Sequence, residues 1–213
     1  MADEKKSVAD NRPVSIAPVD RVARRLNARE LTVRPMDADD RSAVLAFAEG
    51  LPDHDLLFLR RDIRDAAVVD QWIGEIDSGQ MTTLLALADA ELIGYASIDR
   101  SQLQWSSHVA EIRVVISETA RAKGLGRLLV EQAFQAAVAA GIEKVVARMT
   151  PDQKGAVAAF EGLGFRPEGL MRNHVRDLSG EKHDLLVMGL DVVALHGTLE
   201  GYGLDEAVAA AGD

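Results

Sequence analysis

The alternation of apolar and polar positions changes period along this chain, and the changes mark its elements. LTVRPM at 31–36 alternates as a strand does, and DADDRSAVLAFAEG follows with helical spacing. Asp37 or Asp39 stands where a side-chain oxygen caps a first turn. After the loop LPDHD, apolar residues at 56, 59, 63 and 67 predict an amphipathic helix through LFLRRDIRDAAVVDQWIGEI. The period then shortens. TTLLALADAELIGYASID reads as two strands joined by a tight turn at Asp89, Ala90 and Glu91, and HVAEIRVVISE adds a third strand to the same meander. Helical spacing returns at Leu125, Leu128, Leu129, Ala133, Ala136, Ala137 and Ala140, and Gly141 ends it. KVVARMT is a short buried strand, QKGAVAAFEGL a further helix closed by Gly162 and Gly164. GLMRNHVRD and KHDLLVMGLDV form a last hairpin around Leu178, Ser179 and Gly180.

The two ends lack such a pattern. Residues 1–28 carry many charges and two prolines, with only Val22 and Leu26 in apolar register, and are expected to form a flexible tail. The ordered domain is expected over 29–192, and 193–213, rich in Gly and Ala, as a loosely attached C-terminal tail. No internal repeat is visible.

Composition narrows the function. With 213 residues, 47% hydrophobic and 27% charged, the chain suits one domain with a sizeable core. Its net charge of -10 argues against nucleic acid as a partner. An acidic surface attracts cationic substrates such as amines, and equally serves solubility. There is no cysteine, which excludes disulfides, thiolate metal sites and a thiol nucleophile. No metal site is expected. Without a secretory leader or an apolar run long enough for a bilayer, a cytoplasmic location and no membrane partner are expected.

The chemistry concentrates at ARAKGLGRLL. Gly124 and Gly126 sit among Arg121, Lys123 and Arg127 at the start of a helix, where Ser or Asp would ordinarily cap. The first amides of a helix have no internal partner and carry partial positive charge. Left bare beside glycines, they suit a phosphate. The bland alternative is tight helix–strand packing. The pattern GxxxxGK[ST] is absent, and GxGxxG fails because Leu129 stands where its third glycine belongs. The pattern [QR]-x-x-G-x-[GA] is met by Arg121, Ala122, Lys123, Gly124, Leu125 and Gly126.

With the element order from 30 to 192 and the later Glu161-Gly162-Leu163-Gly164-Phe165, this resembles the GNAT family of acetyl-CoA-dependent N-acetyltransferases. The resemblance implies an α/β fold: a mixed, mostly antiparallel sheet of six to seven strands, helices on both faces, and a split near the middle at 114–116. It implies acetyl-CoA as co-substrate, its diphosphate on the amides of 121–127 and its pantetheine arm along Val114, Val115 and Ile116. Gln153 stands where the family often has an Asn that contacts that arm. Phe160 stands where it often has a Tyr that protonates the leaving thiolate, and Phe160 has no proton to give. The reaction implied is direct attack of a primary amine, of a small molecule or a protein, in a ternary complex. The family often dimerises, so a homodimer is compatible. Glu111 and His108, on the strand before the turn, are the candidates for a general base. His54, His174 and His183 lie in segments that border the acceptor in the family. The rival function is a GNAT-shaped acyl-CoA-binding regulatory module without catalysis.

Overall fold

The computed structural model describes residues 18–56, 59, 61–177 and 179–192. Helices α1 (Pro18–Leu26), α2 (Arg41–Glu49), α3 (Asp53–Leu56), α4 (Ala66–Asp77), α5 (Leu125–Ala139) and α6 (Lys154–Glu161) accompany seven strands. These are β1 (Leu31–Pro35), β2 (Met81–Ala88), β3 (Glu91–Arg100), β4 (Val109–Ile116), β5 (Lys144–Met149), β6 (Arg166–Arg176) and β7 (Lys182–Asp191). The strands form one sheet in the order β1-β2-β3-β4-β5-β7-β6. All neighbours are antiparallel except β4 and β5, which the α5 crossover makes parallel.

Each face of the sheet buries its own core. On one, Leu125, Leu128, Leu129 and Ala133 of α5 pack with Ala110 and Ile112 of β4 and with Phe160 and Phe165. On the other, Phe47 of α2 and Trp72 of α4 pack with Tyr95 of β3 and Val115 of β4. Tyr95 makes edge-on ring contacts with both aromatics, at 6.1 and 5.1 Å. Trp72 satisfies its buried Nε1–H by donating to Thr83 Oγ1 at 3.0 Å, so its ring is fixed as well as buried. Burial pushes the Tyr95 phenol well above its ordinary 10, which keeps it neutral.

Two sequence expectations are corrected. Residues 18–26 are no tail: Val19, Val22, Ala23 and Leu26 recur at i, i+3, i+4 and i+7, and Val22 and Ala23 are buried against the α5 core. Residues 1–17 and 193–213, the remainder of the two expected tails, lie outside the described residues. The long helix expected from 56 begins only at Ala66. Asp62 accepts the Arg64 amide at 3.1 Å and Asp65 accepts the Ala67 amide at 2.9 Å. These short aspartate turns compete with helical hydrogen bonding, and the second one starts α4. Asp37 caps the single turn before α2 in a reciprocal capping box, as expected. The β2–β3 turn places Asp89 and Ala90 at φ +49° and +72°, the paired left-handed values of a tight hairpin. Among the described residues, no helix is long and apolar enough to cross a membrane.

Candidate active site

The site begins where the sheet comes apart. β4 pairs with β3 from Ala110 to Ile116, but with β5 only at Val109, Ala110 and Glu111, opposite Lys144, Val145 and Val146. Beyond that point β5 continues along β7 to Met149. Residues 112–116 and 147–149 therefore present backbone edges to each other without pairing. The split opens at Ile112, slightly earlier than the 114–116 expected. Gly94 holds the far end of β4 close to β3: a Cβ there would come within 2.8 Å of the Val115 carbonyl oxygen.

A cleft of about 800 Å³ fills the fork, within the range of ligand sites. Ile112 through Ile116 form one wall and Ala147, Arg148 and Met149 the other. Gly155, Ala156 and Ala159 of α6 supply a low, small-residue rim. At its mouth lies the glycine turn. Ala122 and Gly124 hold left-handed φ values of +59° and +93° on either side of Lys123, which fans successive amides toward one side. Gly124 is the residue before α5, no side chain caps that helix, and its first turn contains no acid. The first intrahelical bond to reach back is Leu128 N–H to Gly124 O, at 3.2 Å. Leu125 is fully buried beneath the turn and anchors it to the core.

Of the residues expected at the coenzyme, Val114, Val115, Ile116, Arg121, Ala122, Gly124, Gly126, Arg127, Gln153 and Phe160 all line this cleft. Lys123 and Leu125 do not, although both stand in the turn. Gln153 bends back, its Oε1 accepting the Thr150 amide at 3.3 Å. Phe160 packs edge-on against Phe165 at 5.0 Å. Glu111 sits at the crotch of the fork, half engaged by each of two cations: Arg113 at 2.7 Å and Arg148 at 3.2 Å. Those two arginines, rather than Glu111 itself, line the cleft.

His108 is not brought to the cleft. It is exposed just before β4, and its carbonyl accepts the amides of Glu143 and Lys144 at 3.0 and 3.1 Å. That is the closed end of the β4–β5 pair, and the strand runs away from it toward the fork. His174 is exposed, and His183 bonds Asp177 at 2.8 Å in the β6–β7 turn; neither lines the cleft. His54 lies in α3, and its side chain is outside the described residues.

Sequence reasoning missed Arg25, Asp55, Leu59 and Arg148, which reach the cleft from four separate elements or loops. No local pattern marks such residues; only the fold assembles them. Arg121 donates to Asp55, tying α3 to the glycine turn. Leu59 and Arg113 also border a small cavity of about 20 Å³ on the opposite face, beside Trp72, Tyr95 and Asp99. That is room for roughly one water, and the cavity shares Leu59 and Arg113 with the cleft.

Residues 43–165 match the model of the acetyltransferase (GNAT) family, more than half of the chain. The chain belongs to the GNAT acetyltransferase family. This GNAT chain is 30% identical over 83 residues to a Bacillus subtilis (strain 168) protein named putative phosphinothricin acetyltransferase YwnH. The match takes in 39% of the chain and spans half of that protein. Among solved structures, a GNAT-family acetyltransferase from Streptococcus pneumoniae superposes with a TM-score of 0.68 at 24% identity. It covers 76% of this chain and 99% of its own. A second, yncA from Salmonella typhimurium with its cofactor acetyl-CoA, superposes at 0.68 and 21% identity, covering 76% and 94%. These two likenesses show the GNAT fold: an α/β seven-stranded mixed sheet with helices on both faces.

Proposed function

We propose that this chain moves an acetyl group from acetyl-CoA to a primary amine by direct attack in a ternary complex. The observation that carries this reading is the meeting of two features at one cleft: an uncapped helix start and a parallel strand pair that separates after three residues. The donor set fits the co-substrate. Bare amides, flanked by Arg121 and Arg127, suit a diphosphate. The open edge of Val114–Ile116 offers backbone donors and acceptors to the two amides of a pantetheine arm, as an added strand would use them. Acetyl-CoA supplies the activated thioester; the protein binds and orients it and manages the amine proton. We assign these roles to a unit spanning 18–192, α1 included.

An alkyl amine with a pKa near 10.4 costs roughly 4–5 kcal/mol to deprotonate at pH 7. Glu111 is the last residue of β4 paired with β5, and Arg113 and Arg148 hold its carboxylate. We assign it the proton, taken through water, and leave His108 without a role. Glu111→Gln is expected to lower kcat about 100-fold with little change in the affinity for acetyl-CoA. An unchanged kcat would remove Glu111 from the reaction.

The defining experiment mixes purified protein, acetyl-CoA and a panel of amines, among them polyamines, amino acids, aminoglycosides and peptide N-termini. Thiol release dependent on one amine class is expected; none with any amine counts against transfer. A second reading, an acyl-CoA-binding module that does not transfer, is favoured by Phe160, which lines the cleft without an ionisable group. Phe160→Tyr separates the two: a rise in turnover points to an enzyme lacking its general acid, and binding without turnover in both forms points to the module.

A further inference from the structure

We infer that helix α1 belongs to the coenzyme site and that its Arg25 binds a phosphate at the nucleotide end of coenzyme A. The inference rests on the proposal that the cleft holds coenzyme A. Arg25 lines that cleft, and its Nη1 lies 3.1 Å from where a Cβ on Gly124 would stand. The same point is 3.6 Å from Val22 Cγ2, and Val22 is buried, so packing rather than chance sets α1 against the turn.

The other guanidinium groups at the turn are already engaged, Arg121 by Asp55 and Arg127 by Glu131 at 2.8 Å. Arg25 makes no hydrogen bond or ion pair with any described residue. It is exposed and lines the cleft beside the glycine turn. Guanidinium matches phosphate oxygens with two parallel N–H bonds, which a lysine cannot reproduce. α1 is also locally basic, with Arg21, Arg24 and Arg25 against Asp20, in a chain of net charge -10. It precedes the stretch matched by the family model, 43–165.

Calorimetry with coenzyme A and with dephospho-coenzyme A tests it on the full chain. Arg25→Ala is expected to weaken coenzyme A about 10- to 100-fold, raising KM for acetyl-CoA while kcat holds. Arg25→Lys recovers part of the loss, and Arg25→Gln, which keeps the apolar stem on α1, reproduces it. Arg24→Ala, the same change in net charge beside the cleft but not lining it, leaves affinity within about twofold. The two ligands locate the phosphate. Equal losses assign the diphosphate, whereas a loss with coenzyme A alone assigns the 3′-phosphate. Unchanged affinity in folded Arg25→Ala, or an equal loss in Arg24→Ala, overturns the inference. Wild-type protein that binds neither ligand brings down the coenzyme reading itself.

Discussion

Turns closed by aspartate and the turn left open by glycine divide this molecule in two. Asp37, Asp62, Asp65, Asp89, Asp177 and Asp184 each accept a nearby or facing backbone amide through a carboxylate oxygen. Asp89 takes two, from Arg29 and Glu30. The glycine turn at 121–126 is treated oppositely, with no side-chain cap and no acid in the first turn of α5. A carboxylate at a helix start satisfies amides permanently and stabilises the fold. Omitting it forgoes about 1 kcal/mol of that stabilisation and leaves the amides available to an anion from outside. In an acidic chain, the absence of acid at this one turn carries more information than its presence elsewhere.

Mutations break or sharpen the contrast. The largest effect is expected at Gly124, whose φ of +93° a β-branched residue cannot adopt without strain. Gly124→Val should lower affinity for acetyl-CoA by about 100-fold or more, as read by calorimetry. Gly124→Asn tolerates left-handed backbone better, so a comparable loss in that stable variant would isolate the lost close approach. Wild-type affinity in both would erase the distinction between the open and closed turns. Next comes Asp65→Ala. Removing this cap should cost about 1 kcal/mol in chemical unfolding and leave acetyl-CoA affinity unchanged. A loss of affinity there would mean that capped turns serve the ligand too.

The smallest effect concerns pH. Hydrogen bonds from Ser179 and His183 hold the Asp177 carboxyl well below the usual carboxylate range, and the Asp177 bond raises His183 above its ordinary 6.5. Asp177 therefore contributes stability above its ordinary 3.8, lost as pH falls through its depressed value. His183 contributes below 6.5, and that share is lost as pH rises through its raised value. The pair is most favourable between those limits, and solvent screening keeps the effect slight. NMR titration should find His183 above 6.5 and return it there in Asp177→Asn. An unshifted wild-type imidazole would detach this turn from the aspartate-closed class.

The fold was legible wherever a period ran long enough or a turn demanded particular residues. The meander, α5 and the Asp89-Ala90 turn all follow from local rules, and so does the glycine motif that organises the cleft. Two misreadings have separate causes. Residues 18–26 offered only two and a half turns of apolar spacing, and the helical pattern over 61–65 was overridden by Asp62 and Asp65 accepting the amides two residues on. The residue at which the fork starts was not legible to within two positions. Glu111 and Ile112 both pair with β3, but only Glu111 also meets β5, and side chains do not encode that second partner directly. Likewise Arg25 and Asp55 join the cleft only through tertiary packing.

The diverging strands carry one more consequence. Naked ladder edges inside a sheet invite foreign strands, and proteins usually cover or charge them. Here the exposed runs are five residues on one side and three on the other, 112–116 and 147–149, each already locked to a neighbour across its back. They face one another across a gap lined in part by Gly126, Arg127 and Val130 of α5, and both strands lie inside the sheet rather than at its outer edges. The gap is thus an internal notch, and under the proposed function it takes a slender amide-bearing chain.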